Sequence, residues 1–282
     1  MLNGYLLIIL AAIGYGALPI FVKWGYNLGL TMDLMLFSRF FIASSLMVFI
    51  LLVSRKKGFK ISKSCFILLT LQGLLFFGCS YTYFLSIKYM SATITNILLY
   101  TYPLMVVLMS AWIFKEKISF VKGVTLLIAI FGCLLVVDVV NMSGQKISMP
   151  GFLYGVLSAL FYALYNILGQ YLSEKSDSFT VSASTSIICL LATIAIYPPT
   201  NVFSGHSQLA LWIVGLGTAI FCTVIPLFCY QKGLSFLGAS QASILSTMEP
   251  AITIVLAGFI RRNTDKQPTA WRIAYYMRGF AT

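Results

Sequence analysis

One carboxylate stands where a carboxylate is costly. Glu249 lies inside the apolar stretch Ala239–Ile260 of a 282-residue chain that holds only seven acidic residues. At bilayer depth such a group costs about 2.5–3.5 kcal/mol on insertion scales, so it should face a cavity or a partner, or hold a proton. Glu249 therefore reads as a proton-coupling group or a contact for a substrate amine; the plainer reading is a neutral acid bonded to a neighbouring helix. Asn96, Tyr100 and Pro103 recur at i, i+4 and i+7, one face of a helix. A proline lacks the amide donor and frees a carbonyl, so polar groups near it can bind a ligand or link helices. Tyr15, Tyr162 and Asn166, with Tyr81 and Tyr83 late in another stretch, add hydroxyl-tipped rings suited to a cavity for mixed polar and apolar solutes. Tyr81 and Tyr83 also fit an interfacial aromatic belt. Arg39 is set within an apolar stretch, where it would snorkel to headgroups, make a structural bond, or close an outer gate on a carboxylate.

Positioning these groups requires membrane helices. Hydrophobic residues make up 60% of the chain and charged residues 9%, against about 25% charged in soluble domains. Nine apolar stretches are legible, at 4–23, 32–53, 65–87, 92–114, 121–140, 151–171, 181–197, 209–231 and 239–260. Each is of the length that crosses a hydrocarbon core of about 30 Å as a helix. Helices satisfy their own backbone in lipid, and no barrel-like alternation is present. The fold expected is an all-α polytopic membrane protein.

The stretches repeat. Pro250 follows Pro103 by 147 residues (250 − 103 = 147), and the same offset carries Ala92 to Ala239, Leu98 to Leu245, Tyr15 to Tyr162 and Tyr83 to Tyr230. Tyr102 takes the register of Glu249. A fixed offset marks an internal duplication: residues 1–140 form a first five-helix unit, 141–150 a joint, and 151–260 a second unit of four helices. An odd-numbered unit ends on the far side of the membrane, so its second copy enters inverted. Residues 261–282 break the plan. Arg261, Arg262, Lys266, Arg272 and Arg278 are too many charges for a span, and the tenth helix reads as lost or frameshifted after Ile260.

With a cytoplasmic N-terminus, the inner connections hold Arg55, Lys56, Lys57, Lys60, Lys63, Lys115, Lys117, Lys122, Lys175 and Lys232. The outer ones hold Lys23, Lys88 and Lys146, which is the positive-inside bias. The net charge of +12 is thus loop charge, not a nucleic-acid surface. The six cysteines sit in apolar segments without C-x-x-C spacing and read as packing residues, so no metal and no cofactor is expected. Neither H-E-x-x-H nor paired carboxylates point to an enzyme.

Two duplicated units, the mid-helix proline followed by Phe114-Lys115-Glu116, Met248-Glu249-Pro250 in the second copy, and Arg39-Phe40-Phe41-Ile42-Ala43 give residues 4–260 a resemblance to EamA-type transporters of the drug/metabolite transporter superfamily. That resemblance implies ten helices with both termini in the cytoplasm, and a central substrate cavity between the repeats. It further implies export of amino acids, metabolites or drugs across the bacterial inner membrane by alternating access. Glu249, Asn96, Tyr100, Tyr102, Tyr81, Tyr83, Tyr15, Tyr162 and Asn166 are then the expected substrate contacts, and Pro103, Pro250 and Arg39 the gating or structural residues. The partners expected are a small solute and the bilayer, with a monomer or homodimer as the assembly. The competing expectation is a non-transporting scaffold, inactive for want of the last helix.

Overall fold

A proline-set break and a glycine-set break organise the helices. The computed structural model describes residues 2–53, 63–90, 92–116, 120, 123–124, 126–127, 148–197, 208–253 and 255–256. Most of the expected fifth span, most of the joint, the end of the ninth span from 257 and the whole tail 261–282 lie outside the described residues. Among the described residues the fold is helical with no strand, as a polytopic membrane protein requires.

The helices are α1 (Leu2–Asn27), α2 (Met32–Val53), α3 (Lys63–Tyr89), α4 (Ala92–Leu99), α5 (Tyr102–Ile113), α6 (Met149–Ser173), α7 (Ser178–Ile196), α8 (Gln208–Ala219) and α9 (Ile225–Ser246). A π turn, Ile220–Val224, joins α8 to α9. Side-chain oxygens hold two starts: Ser148 Oγ accepts from Gly151 N at 3.2 Å, and Asp177 Oδ1 accepts from Phe179 N and Thr180 N at 3.0 and 3.2 Å. The long helical run Leu209–Ser246 exceeds what one crossing needs, and it is divided at Gly238. Gly238 has φ 77° and ψ 164°, a backbone that a side chain would strain, so the expected separation of the eighth and ninth spans appears there.

The fourth span is not one helix, in contrast to the continuous stretch expected. It stops at Leu99, turns at Tyr100–Thr101, and restarts as α5 with Pro103 in the first turn. Pro103 cannot donate to the Leu99 carbonyl, and within the turn both the N–H and the Oγ1 of Thr101 donate to Leu98 O, at 3.1 and 2.7 Å. The second-half span does the same. It stops at Ser246, turns at Thr247–Met248, and is helical again from Glu249 with Pro250 following. Thr247 Oγ1 donates to Ile244 O at 2.7 Å.

Packing is exchanged between the halves: α1 lies on α9, while α6 lies on α3. Along α1, Gly4, Ile8, Gly14 and Gly25 meet Phe236, Gly233, Pro226 and Val214, a descending series, so α1 runs antiparallel to the α8–α9 rod. Along α6, Tyr162, Tyr165 and Gln170 meet Tyr230, Gln231 and Ala239, an ascending series, so α6 runs parallel to it. α1 and α6, which the offset pairs, therefore point in opposite directions. The tightest crossing is at Gly14, where a Cβ would come within 2.2 Å of Pro226 Cγ and 2.4 Å of the Phe221 carbonyl oxygen.

The surface is apolar and the interior holds the polar groups. Trp112 is 83% exposed, and Leu209, Phe49 and Phe66 also face outward. On α7, Thr185 and Thr193 are buried, each donating to the carbonyl four residues back at 2.8 and 2.7 Å. Hydroxyls satisfied this way can be buried without an interhelical partner.

Candidate functional site

A cavity of about 70 Å³ opens where α1, α2, α3, α6 and the two broken spans meet. At 10–15 Å³ for each water, that is room for about five waters, well below the 300 Å³ or more of a formed ligand pocket. Tyr15, Leu18 and Pro19 reach it from α1, and Arg39 from α2. Phe76, Cys79, Ser80, Tyr83 and Phe84 come from α3, Asn96, Leu99 and Tyr100 from the first break, Tyr162 from α6, and Glu249 from the second break.

Of the residues expected at the site, Glu249, Asn96, Tyr100, Tyr83, Tyr15, Tyr162 and Arg39 are brought together here. Tyr102, Asn166 and Tyr81 are placed elsewhere. Tyr102 is fully buried, its ring edge-on to Tyr162 at 4.5 Å between centroids. Asn166 is fully buried behind the cavity wall; its Nδ2 donates to Tyr162 O at 2.7 Å and its Oδ1 accepts from Tyr230. Tyr81 packs against Phe77 and Tyr197. Pro103 and Pro250 sit in the first turns after the breaks, each setting the helix that follows.

The carboxylate of Glu249 is buried, with 6% of the residue exposed. Tyr100 hydrogen-bonds it, while Oε1 has no hydrogen-bond partner among the described residues. Tyr83 donates to Asn96 Oδ1 at 2.6 Å, which ties α3 to α4 on the cavity wall.

Arg39 does not snorkel. It is 3% exposed and turned inward. Its Nε donates to Thr223 Oγ1 at 2.7 Å and its Nη2 to the Cys222 carbonyl at 3.3 Å. The cause is local to the π turn. Pro226 stands four residues after Cys222 and has no N–H, so the Cys222 carbonyl lacks its helical donor and is left for the guanidinium. Nη1 of Arg39 and the hydroxyl of Tyr15, both buried, have no hydrogen-bond partner among the described residues.

Sequence reasoning missed the π turn and with it the second helix's place on the wall. The signal was present: Pro226 follows Cys222 by four within an apolar run, and Gly14 stands where α1 must cross that proline. It also passed over the α3 wall of Phe76, Cys79, Ser80 and Phe84, which in sequence reads as ordinary apolar helix.

A model of the EamA-like transporter family matches residues 2–138 and 149–267. Among curated proteins, the chain is 24% identical to the uncharacterized transporter YcbK of Bacillus subtilis over 262 residues, covering 89% of this chain and 83% of that protein. It is 23% identical over 232 residues to the uncharacterized transporter YetK of the same organism, covering 78% and 68%. An uncharacterized transporter of Archaeoglobus fulgidus is 28% identical over 236 residues, covering 79% and 77%. One solved crystal structure superposes with a TM-score of 0.74 at 17% identity, covering 98% of this chain and 93% of the other, a likeness of fold.

Proposed function

The chain belongs to the EamA-like transporter family, and from that premise we propose that it exports small metabolites, amino acids or drugs across the bacterial inner membrane by alternating access, with Glu249 coupling transport to protons. The observation that carries this reading is the cavity itself. It gathers a buried carboxylate, a buried guanidinium and four tyrosines at the junction of both halves, with Glu249 Oε1, Arg39 Nη1 and the Tyr15 hydroxyl left without hydrogen-bond partners among the described residues. Such groups are expensive to bury, and in a transporter they mark the solute pathway.

The geometry of the helices supports two repeats, 1–140 and 151–260, inserted with opposite polarity. α1 and α6 run antiparallel, and each packs on the third helix of the other half. A pseudo-two-fold arrangement of this kind rocks about a central site. The broken spans lie beside the cavity, so rocking can change the pathway without unfolding a helix.

Cells producing the chain should release a solute that cells producing Glu249→Gln retain, measured by comparing metabolites in the medium. Identical profiles would remove the export reading. Proton coupling has its own check. In proteoliposomes loaded with the solute so found, an imposed pH gradient should drive the original chain and leave Glu249→Gln indifferent.

A further inference from the structure

A single glutamine ties the two halves together away from the cavity. Gly238 interrupts the long helical run with φ 77°, so the helix restarts at Ala239 with amides that no preceding turn can satisfy. Ala239 is buried, and its N–H donates to Gln170 Oε1 at 2.6 Å. The other end of the same amide crosses to the first half: Gln170 Nε2 donates to Glu116 Oε1 at 3.5 Å. A Cβ on Gly238 would come within 3.7 Å of Glu116 Oε1, so this carboxylate stands at a helix start, where negative charge is favoured. Lys115 sets it there. It follows α5 with φ 53°, a left-handed backbone that costs a residue with a side chain and turns the chain out of its helix.

The contact grips one end of a rod whose other end lies at the cavity. The helical segment 239–246 is about 12 Å long at 1.5 Å per residue, and the break at Thr247–Met248 then leads to Glu249. Its buried residues are small: Ala239, Ser240, Ala242, Ser243 and Ser246. Small side chains let neighbouring helices lie close, with little to interlock when one slides. The matched place in the first half cannot be tied this way. The 147-residue offset carries Gln170 back to Lys23, which is exposed and has no acceptor for an amide. The tie is therefore one-sided. It lies at the end of the bundle that carries Lys115, Lys175 and Lys232, the cytoplasmic end by the positive-inside bias.

We propose that Gln170 is the central residue of a cytoplasmic latch, which holds Ala239 to Glu116 and keeps the cavity shut toward that side in this conformation. The inference rests on the transporter reading for its purpose, though not for its geometry. Releasing Gln170 frees the short helix to slide, and Glu249 moves with it.

Cys79 is a native thiol on the cavity wall and reports access to it. A membrane-impermeant maleimide is applied to right-side-out and to inverted vesicles holding the full chain, and modification at Cys79 is read by peptide mass spectrometry. Gln170→Met removes both hydrogen bonds while keeping the length of the side chain. It should speed labelling from the cytoplasmic face about two- to tenfold, the range that one hydrogen bond covers, and slow it from the outer face. Glu116→Leu leaves the cap on Ala239 and should act in the same direction, more weakly. Gln170→Glu combined with Glu116→Gln rebuilds the latch with carboxylate and amide exchanged, and should label as the original does.

Unchanged labelling of Gln170→Met overturns the proposal. So does faster labelling from the outer face or from both faces, the second being what a merely loosened fold gives. An exchanged pair that labels like Gln170→Met overturns it as well, since the pairing would then not be what holds the two halves. Export measurements separate the two readings. Latch behaviour in a chain that moves no solute sinks transport and leaves the latch, whereas export with Cys79 labelling indifferent to Gln170 sinks the latch and leaves transport.

Discussion

Tyr102 and Glu249 occupy matched places in the two halves, each the first helical residue after a two-residue break and each followed by proline. Their surroundings are opposite. Tyr102 is sealed, with its ring against Tyr162 and its hydroxyl 3.5 Å from the Ser243 carbonyl. Glu249 lines the cavity, and one of its oxygens has no hydrogen-bond partner among the described residues. A second matched pair diverges in the same sense. Tyr83 lines the cavity and bonds Asn96, whereas its counterpart Tyr230 is fully buried on Asn166. The scaffold is thus duplicated while the polar wall is not. Within these pairs one copy packs and the other faces the cavity.

If that division is real, the matched substitutions should move stability in opposite directions. Tyr102→Ala empties a packed site and should cost about 3 kcal/mol or more, as large-to-small core changes do. Glu249→Leu removes a charge that is expensive at bilayer depth and should stabilise the fold by up to about 2.5 kcal/mol while abolishing transport. Thermal unfolding in detergent and export from cells measure the two quantities. Loss of stability in both would erase the distinction between packing copy and cavity copy.

The contrast sharpens at the crossing of α1 over the π turn. Gly14→Leu would place atoms where Pro226 and the Phe221 carbonyl already stand. Overpacking of this kind costs about 1–3 kcal/mol. Its offset-matched position is Phe161, whose ring already lies against Gly78, so Phe161→Leu should be milder. A Gly14→Leu protein melting with the original would mean that α1 does not sit against Pro226.

Next in size is the brace on Arg39. Thr223→Val removes the acceptor of a 2.7 Å bond from a buried guanidinium, for which about 1.5 kcal/mol or more is the expected loss. An unchanged melting temperature would show Arg39 to be held by other means.

Much of this is legible in the sequence itself. Composition and stretch lengths give an all-helical membrane fold, because lipid leaves the backbone few alternatives. The 147-residue offset anticipates the matched breaks, because a proline costs its helix the same donor wherever it falls. Glu249 and Asn96 are conspicuous because polar side chains are rare in such stretches. The rest was hidden for physical reasons. Which tyrosine faces the cavity depends on rotations of neighbouring helices, so Tyr102 and Tyr83 look alike in sequence and part company in space. For Arg39 the sequence leaves snorkelling, a structural bond and a gate open; the structural bond is the one present, and its partners, Thr223 and Cys222, are remote in the chain.

The smallest effect tests the second matched pair. Tyr83→Phe and Tyr230→Phe each delete one hydroxyl that donates to an asparagine oxygen. An interhelical bond in a membrane protein is worth about 0.6 kcal/mol, so neither protein should melt far from the original. Transport should separate them. Losing the Tyr83 hydroxyl frees Asn96 Oδ1 on the cavity wall and should alter the apparent affinity for solute. Losing the Tyr230 hydroxyl leaves a packed wall intact and should alter stability alone. Equal changes in apparent affinity would mean that both copies of this tyrosine, and not only the first, report to the cavity.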